Sequence, residues 1–189
     1  MDNPQKLENN DTHIILNSLS DSATSFDAQE INVIEGAAPI YSQEELDALP
    51  DHELKHVVCG VIFNEYGQVL VSRRRAGVDY ANSLEFPGGK VEYHEDHAAA
   101  LKREFEEEVG ITVDNFKLIY EQRVNGSSSP FHIFFYLVRD FFGQPYGAEG
   151  QEVFWLNVDE IDYNRFPPAT QLLIQKYILT NEYMQEIYR

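Results

Sequence analysis

The stretch at residues 89–111, GKVEYHEDHAAALKREFEEEVGI, constrains the fold of this chain more than any other. From about residue 97 to residue 109 its apolar side chains recur at steps of three or four, which places them on one side of an α-helix. That apolar stripe consists of Ala98, Leu101, Phe105 and Val109. Gly110 follows it directly, where helices commonly end in a left-handed turn. The pattern predicts an amphipathic helix that packs on a core and stops at a fixed residue.

Three glutamates lie on a neighbouring face of the same predicted helix. Glu104, Glu107 and Glu108 are spaced i, i+3 and i+4, so their carboxylates gather at one place. Like charges at this spacing destabilise an exposed helix by about 0.2–0.5 kcal/mol per pair. Grouped carboxylates nevertheless suit a hard divalent cation, Mg²⁺ above all, which prefers oxygen ligands and bridges to phosphate. A solvated helix face is the alternative, but the spacing of the whole stretch favours a metal site.

The fixed residues of this stretch resemble the Nudix box: Gly, five residues, Glu, seven residues, then Arg-Glu-U-x-Glu-Glu-x-Gly-U, with U a bulky hydrophobic residue. Every fixed position is filled, and Phe105 is a mild departure because the family usually has an aliphatic residue there. The resemblance implies an α/β (α+β) fold, the Nudix α/β/α sandwich with a mixed sheet between helices. It also implies a hydrolase acting on phosphoric anhydride bonds.

Further stretches are similar to the MutT-type 8-oxo-dGTP diphosphatases of that family. They are residues 81–90, the Gly-x-Glu-Gly-Gln loop at 147–151 and the Phe-Pro-Pro-Ala segment at 166–169. This similarity implies Mg-dependent hydrolysis of a nucleoside triphosphate to a monophosphate and pyrophosphate. The expected substrate is 8-oxo-dGTP, and the expected role is nucleotide-pool sanitation, which prevents replication errors.

The same resemblance implies the ligands of the metal, which is expected to be Mg²⁺ with Mn²⁺ as a substitute. They would be the carbonyl of Gly88 and the carboxylates of Glu104, Glu107, Glu108 and Glu149. Either Glu104 or Glu149 would act as the general base, and the sequence does not choose between them. Arg103 would orient the glutamates by ion pairing. Glu95 would brace the box loop, in which Gly89 and Gly110 are the structural glycines.

A second set of residues is implied to bind the nucleotide. Arg74 would reach the α-phosphate. The remaining members of the expected substrate site are Asp79, Glu85, Phe86, Pro87, Gly88 and Thr170. Two of these depart from the family, because Thr170 replaces a purine-reading Asn and Asp79 replaces a His. Both changes bear on the choice of base and leave the reaction type unaffected.

The composition along the chain predicts three regions. Residues 1–54 are expected to form an acidic, largely disordered extension with a short helix near 43–49, because this polar composition cannot build a core. Residues 55–180 are expected to form the Nudix hydrolase domain, and residues 181–189 a C-terminal tail. Within the domain, residues 131–142 are apolar on both alternating faces, which predicts a strand covered on both sides.

The charge and the cysteine content restrict the partners and the compartment. A formal net charge of −18 argues against binding of polymeric nucleic acid or an anionic membrane, but not of one nucleotide that arrives with its metal. Cys59 is the only cysteine, so no disulfide can form within the chain, which fits a reducing compartment. The expectation is a cytoplasmic monomer that acts on a small-molecule nucleoside triphosphate.

Three alternatives remain open at this point. The chain could hydrolyse another nucleotide, such as dCTP or CTP. It could be a Nudix-fold module that binds nucleotides without turnover, although such a module is expected to have lost a box glutamate. His94 and His97, spaced i and i+3, could also bind zinc, but one cysteine and no second cluster in the sequence make this the weakest interpretation.

Overall fold

The computed structural model describes residues 40–76 and 80–180. The predicted disordered segment before residue 39, the substrate-site residue Asp79 and the C-terminal tail at 181–189 lie outside the described residues. Among the described residues, no helix has the length and apolar character needed to cross a membrane.

Residues 40–76 and 80–180 contain seven strands and three α-helices. The strands are β1 (Lys55–Ile62), β2 (Gln68–Arg73), β3 (Leu84–Glu85), β4 (Gly88–Lys90), β5 (Thr112–Val124), β6 (Phe131–Phe142) and β7 (Val153–Asn157). The helices are α1 (Gln43–Ala48), α2 (His97–Val109) and α3 (Pro168–Leu173), and a π-helical turn, Ile174–Ile178, follows α3.

The strands form two sheets. The first has the order β4-β1-β6-β5 and is mixed, because β1 and β6 run parallel while the other pairs are antiparallel. The second has the order β3-β2-β7 and is antiparallel throughout. The predicted α/β class with a mixed sheet is confirmed, and the smaller second sheet adds to it.

Strand β6 is covered on both faces, as its sequence predicts. Phe134 and Val138 join the core cluster formed with α2, whereas Phe135 joins the cluster formed with α3 and the π-helical turn. The mixed sheet therefore lies between two helical layers, which is the sandwich expected from the sequence.

Helix α2 begins and ends at the predicted residues. The Asp96 side chain caps its first turn by accepting a hydrogen bond from the Ala99 N–H, at 2.8 Å. Gly110 ends it in the left-handed conformation, with φ 65° and ψ 24°. Ala98 is only partly buried, whereas Ala100 is fully buried, so the covered face is wider than the predicted stripe.

Helix α1 packs on the domain although it precedes the expected domain start at residue 55. Leu46 is 2% exposed and Leu54 6% exposed, so both side chains belong to the core. Arg123 of β5 donates to the carbonyls of Leu46, Asp47 and Leu49 at 3.2, 3.1 and 2.7 Å. Arg123 is thus a cation at the C-terminal end of α1, where the last carbonyls of a helix generally lack donors within the helix itself.

We expect Ser42→Ala to lower the free energy of unfolding by about 1 kcal/mol, because it removes a helix cap. Ser42 and Glu45 form a capping box, with hydrogen bonds of 3.3 and 2.7 Å. Urea unfolding measures the effect, and Ile40→Ala, at a side chain 83% exposed, serves as the control with little expected change. Equal stability of wild type and Ser42→Ala would mean that this cap does not contribute to the stability of the domain.

Candidate active site

Arg103 is the centre of the charged side of α2. Its guanidinium contacts Glu95 through two hydrogen bonds of 2.6 and 3.1 Å. It also donates to Glu104 at 2.8 Å, to Glu107 at 3.1 Å and to the Lys90 carbonyl at 3.0 Å. The repulsion expected among the glutamates is therefore relieved at two of the three, because one arginine lies between their carboxylates.

Glu95 closes the loop that leads into α2. Its carboxylate accepts a hydrogen bond from the Glu92 N–H at 2.7 Å in addition to its two bonds from Arg103. The Arg103 guanidinium, followed by the Glu92 N–H, holds the pKa of the Glu95 carboxyl below its ordinary value. These contacts fix the start of the helix relative to its charged face.

Glu108 is in a different environment from the other two glutamates. Among the hydrogen bonds of the described residues, its carboxylate accepts one, from the Gly88 N–H at 3.1 Å. The pKa of Glu108 is raised to about 7, mainly by burial; the Gly88 N–H opposes the shift, and the nearby carboxylates of Glu104, Glu85 and Glu149 add to it. Burial likewise raises the pKa of Glu104 despite its contact with Arg103.

This grouping of negative charge fits a bound cation. Four carboxylates interact at Glu108, and a divalent ion there would relieve both their repulsion and the burial of the charge. Oxygen donors grouped in this way suit a hard divalent ion.

Two glycines bring the backbone of β4 against β1 and α2. A Cβ added to Gly88, whose φ is 151°, would lie 2.0 Å from the Val58 carbonyl oxygen on the paired strand. A Cβ added to Gly89 would instead lie 2.3 Å from the carboxyl carbon of Glu104. The atom close to Gly88 belongs to a neighbouring backbone, so this position requires glycine, whereas the atom close to Gly89 is the end of a side chain, which an added Cβ would displace.

The loop at 147–151 is fixed to the last turn of α2. The Gln151 side-chain amide and the Ala148 N–H both donate to the Glu108 carbonyl, at 2.8 and 2.9 Å. Glu149 is thereby placed beside the box, where Arg75 contacts both its carbonyl and, at 3.1 Å, its carboxylate. The sequence suggested no role for Arg75 or Gln151, since neither belongs to the box.

The expected nucleotide site contains one close ion pair. Arg74 donates to the carboxylate of Glu85, and the pKa of Glu85 is raised by burial, with Arg74 opposing the shift. The three consecutive arginines at 73–75 pair with three different glutamates, Glu152, Glu85 and Glu149.

The other expected nucleotide-binding residues lie in or next to the core. Phe86 is buried against Phe166, with ring centroids 5.5 Å apart. The Pro87 carbonyl accepts a hydrogen bond from Gly60 at 2.9 Å. Thr170 is buried in the first turn of α3.

The ligand atoms of a second group lie closer together than those of the glutamates. Within the two described ranges, Asp51, His56 and His132 form the one group of three such residues with ligand atoms within 4.8 Å of one another. The His94 and His97 pair does not converge, since His97 hydrogen-bonds to His56 and Tyr136 while the ring of His94 lies against Tyr93. His132 is 81 residues from Asp51, so no local motif revealed the group.

Comparisons with known proteins found similar sequences. A family model described as the NUDIX domain matches residues 53–177. The 8-oxo-dGTP diphosphatase of Haemophilus influenzae is 43% identical over 128 residues, which are 68% of this chain and 94% of that protein. The CTP pyrophosphohydrolase of Escherichia coli is 32% identical over 123 residues, 64% of this chain and 90% of that protein.

The fold is also similar to that of a solved protein. A MutT structure from a study of Aliivibrio salmonicida and Vibrio cholerae has a TM-score of 0.56 and 36% identity to this chain. The similarity covers 67% of this chain and 98% of that one.

Proposed function

This chain belongs to the Nudix hydrolase family, and we propose that it hydrolyses 8-oxo-dGTP to 8-oxo-dGMP and pyrophosphate. The observation that carries the proposal is the complete box, folded so that carboxylates from α2 and from the loop at 147–151 interact at Glu108. The 43% identity to an 8-oxo-dGTP diphosphatase supports the choice of substrate.

The metal in this proposal is Mg²⁺, with Mn²⁺ as a substitute. Its ligands would be the Gly88 carbonyl and the carboxylates of Glu104, Glu107, Glu108 and Glu149. When bound, the ion neutralises triphosphate charge and lowers the pKa of water. The raised pKa of Glu108 supports this assignment, because a group that is costly to ionise alone gains most from a cation.

The side chains around the proposed site divide the remaining tasks. Arg103 holds Glu104 and Glu107 in fixed positions and so acts as a positioning residue. Glu104 or Glu149 removes the proton from the attacking water. Arg74 contacts the α-phosphate, sharing its guanidinium with Glu85.

The nucleotide base in this proposal lies between the β3–β4 segment and α3. Glu85, Phe86, Pro87 and Gly88 form one side, and Thr170 forms the other, with Asp79 as a further member. The contact between Phe86 and Phe166 supports this arrangement, because it joins the two segments.

A second candidate substrate is CTP or dCTP. Thr170 favours it, since this residue replaces the Asn expected to read a purine, and 32% identity to a CTP pyrophosphohydrolase is compatible with it. A non-catalytic module is disfavoured because every box glutamate is present. The proposal also includes a monomer in the cytoplasm, which the single cysteine supports.

A pyrophosphate-release screen with Mg²⁺ tests the function. The substrates are 8-oxo-dGTP, the four dNTPs, the four NTPs and nucleotide sugars. We expect the highest kcat/KM for 8-oxo-dGTP. A higher value for CTP or dCTP would establish the second candidate, and no turnover of any substrate would establish a binding module.

We expect Thr170→Asn to raise the ratio of kcat/KM for 8-oxo-dGTP over dGTP at least about tenfold, mostly through KM. The two bases differ at N7. In guanine N7 is a hydrogen-bond acceptor, whereas in 8-oxoguanine N7 carries a hydrogen and donates, next to the O6 acceptor. A carboxamide offers separate acceptor and donor atoms for that pair, whereas a hydroxyl has one oxygen. One poorly made buried hydrogen bond is worth about 1–3 kcal/mol.

Thr170→Val is the matched control, because it keeps the shape of the side chain and removes the hydroxyl. The ratio should fall toward one in this variant if the hydroxyl contacts the base. An unchanged ratio in both variants would show that this position does not read the base.

A further inference from the structure

We propose that Asp51, His56 and His132 form a binding site for Zn²⁺ or a closely similar transition-metal ion, separate from the glutamate site. The three residues come from the 3₁₀ turn Asp51–Glu53, from β1 and from β6. The ligand atoms they offer are two imidazole nitrogens and a carboxylate oxygen, all within 4.8 Å of one another. This combination suits Zn²⁺, whereas Mg²⁺ prefers oxygen ligands alone.

The sheet register places the two histidines side by side. His56 and His132 are direct partners on the parallel strands β1 and β6, so their side chains project from the same face. Their ring centroids are 5.7 Å apart. The Asp51 carboxylate lies across both rings, 2.9 Å from His132 Nδ1 and 3.0 Å from His56 Nε2.

An ion would draw the three ligand atoms together from separations of at most 4.8 Å. Metal–ligand distances of about 2.0–2.1 Å in a tetrahedron separate neighbouring ligand atoms by about 3.3 Å. Asp51 now contacts His132 through Oδ1 and His56 through Oδ2, so its carboxylate would turn to place one oxygen near both nitrogens. The Asp51 side chain is 55% exposed, which leaves room for this movement and for a water as the fourth ligand, while the His132 side chain is only 10% exposed.

The partners behind the two histidines match those of metal-bound imidazoles. A metal-bound histidine usually donates its other ring N–H to a polar group, which fixes the orientation of the ring. His56 Nδ1 lies 3.0 Å from His97 Nε2, and His97 Nδ1 lies 2.8 Å from the Tyr136 hydroxyl. His132 Nε2 faces the Glu121 carboxylate at 3.8 Å.

Hydrogen-bond geometry permits two proton arrangements in this row of groups. In the first, both histidines donate to Asp51, and His56 accepts from His97. In the second, each ring carries its proton on the other nitrogen. His56 then donates from Nδ1 to His97, and His97 donates from Nδ1 to the Tyr136 hydroxyl. The Nε2–H of His132 points at the Glu121 carboxylate. The second arrangement leaves the two nitrogens nearest Asp51 free to bind an ion, and neutral rings reach it by tautomer exchange alone.

The site is distinct from the glutamate cluster. His97 is the first residue of α2, and a rise of 1.5 Å per residue puts Glu104 about 10 Å farther along the helix. One cation lies nearby, since Arg123 is 3.7 Å from Asp51. The same guanidinium binds three carbonyls around the end of α1. An ion here would therefore join the 3₁₀ turn to β1 and β6, beside the end of α1.

Cobalt and zinc titrations of the full chain test the proposal. The metal-free protein, in excess Mg²⁺, is titrated with Co²⁺ and then Zn²⁺ while visible absorption is recorded. We expect the intense bands of four-coordinate Co²⁺ at one ion per chain, which Zn²⁺ removes, and a higher Tm with Zn²⁺. Six-coordinate Co²⁺ at the glutamates would give only weak bands.

Matched variants connect the signal to the residues. His56→Gln, His132→Gln and Asp51→Asn should each lose the intense bands and the zinc-dependent rise in Tm. His97→Gln should weaken zinc binding about tenfold to a hundredfold by removing the partner of His56. His52→Gln, next to Asp51, and His94→Gln should behave as wild type.

Circular dichroism of the metal-free variants establishes that each is folded, and Asp51→Asn, at an exposed side chain, is the variant least at risk. The proposal is overturned if wild type gives no intense bands. It is also overturned if a folded ligand variant keeps them, or if His52→Gln loses them.

Discussion

Glu108→Gln is expected to lower kcat at least about 10²-fold while raising the Tm of the protein in EDTA at pH 8. The loss of activity follows from removing a charge that would hold the metal, since the loss of one electrostatic contact in an active site typically costs 10²–10³-fold. The gain in stability follows from removing a buried charge that interacts with three other carboxylates. An amide of nearly the same shape still accepts the hydrogen bond from Gly88.

The raised pKa of Glu108 predicts how its contribution to protein stability changes with pH. Folding raises the pKa of Glu108 from an ordinary value of 4.5 to about 7. Its contribution to stability is therefore fully present below pH 4.5 and is lost as the pH rises through about 7. The loss amounts to at most about 3.5 kcal/mol, since one unit of pKa corresponds to about 1.4 kcal/mol.

Thermal unfolding in EDTA between pH 5 and pH 8 measures the difference. Glu108→Gln and wild type should melt at similar temperatures at pH 5, and the variant should melt higher at pH 8. Glu106→Gln is the matched control, because Glu106 lies on the exposed side of the same helix, and it should change neither kcat nor the pH dependence. A variant that melts below wild type at pH 8 would assign Glu108 a structural role instead.

Local patterns predicted the parts of the fold that depend on residues close in sequence. The bounds of α2 follow from its apolar spacing and from Gly110 after it, and both act within one or two helical turns. Strand β6 follows from apolar residues on both of its faces. The short helix expected near residues 43–49 is α1, Gln43–Ala48.

Contacts between distant residues were not predictable in this way. Arg123 is 74 to 77 residues from the three carbonyls it binds, so nothing in the composition of residues 40–54 indicated that α1 would pack on β5. His132 and Asp51 are separated by 81 residues and meet only because β1 and β6 pair in one register. The division into two sheets also depends on pairing between strands distant in sequence, which no single segment specifies.

The contacts among the side chains of the candidate site were also not predictable from sequence spacing. The box residues were identified from their spacing, and the resemblance implied that Arg103 pairs with glutamates, but not with which ones. Arg103 lies against Glu95, Glu104 and Glu107, whereas Glu108 has no arginine partner among the described residues. The directions of the side chains and their burial decide which glutamate is costly to ionise. Sequence spacing alone specifies neither.

Gly89→Ala is expected to lower kcat/KM about 10²-fold with little change in the free energy of unfolding. The new Cβ would lie 2.3 Å from the carboxyl group of Glu104, so that group must move. It is the end of a flexible side chain, and the φ of Gly89 lies outside the left-handed region, so the backbone tolerates alanine. A displacement of about 1 Å in a catalytic group can cost 10²-fold in rate.

Gly88→Ala is the contrasting variant, one residue away. Its Cβ would overlap the Val58 carbonyl oxygen at 2.0 Å, and its φ of 151° is unfavourable for alanine. Because the obstructing atom belongs to the backbone of β1, strand β4 must separate from its partner, and a strained backbone alone costs about 1–3 kcal/mol. Urea unfolding and kcat/KM, measured on both variants, should therefore distinguish them. Gly89→Ala should keep the free energy of unfolding of wild type and lose kcat/KM, whereas Gly88→Ala should lose free energy of unfolding. Equal destabilisation of the two would show that Gly89 also serves the fold, and an active Gly89→Ala would show that the position of the Glu104 carboxylate does not limit the reaction.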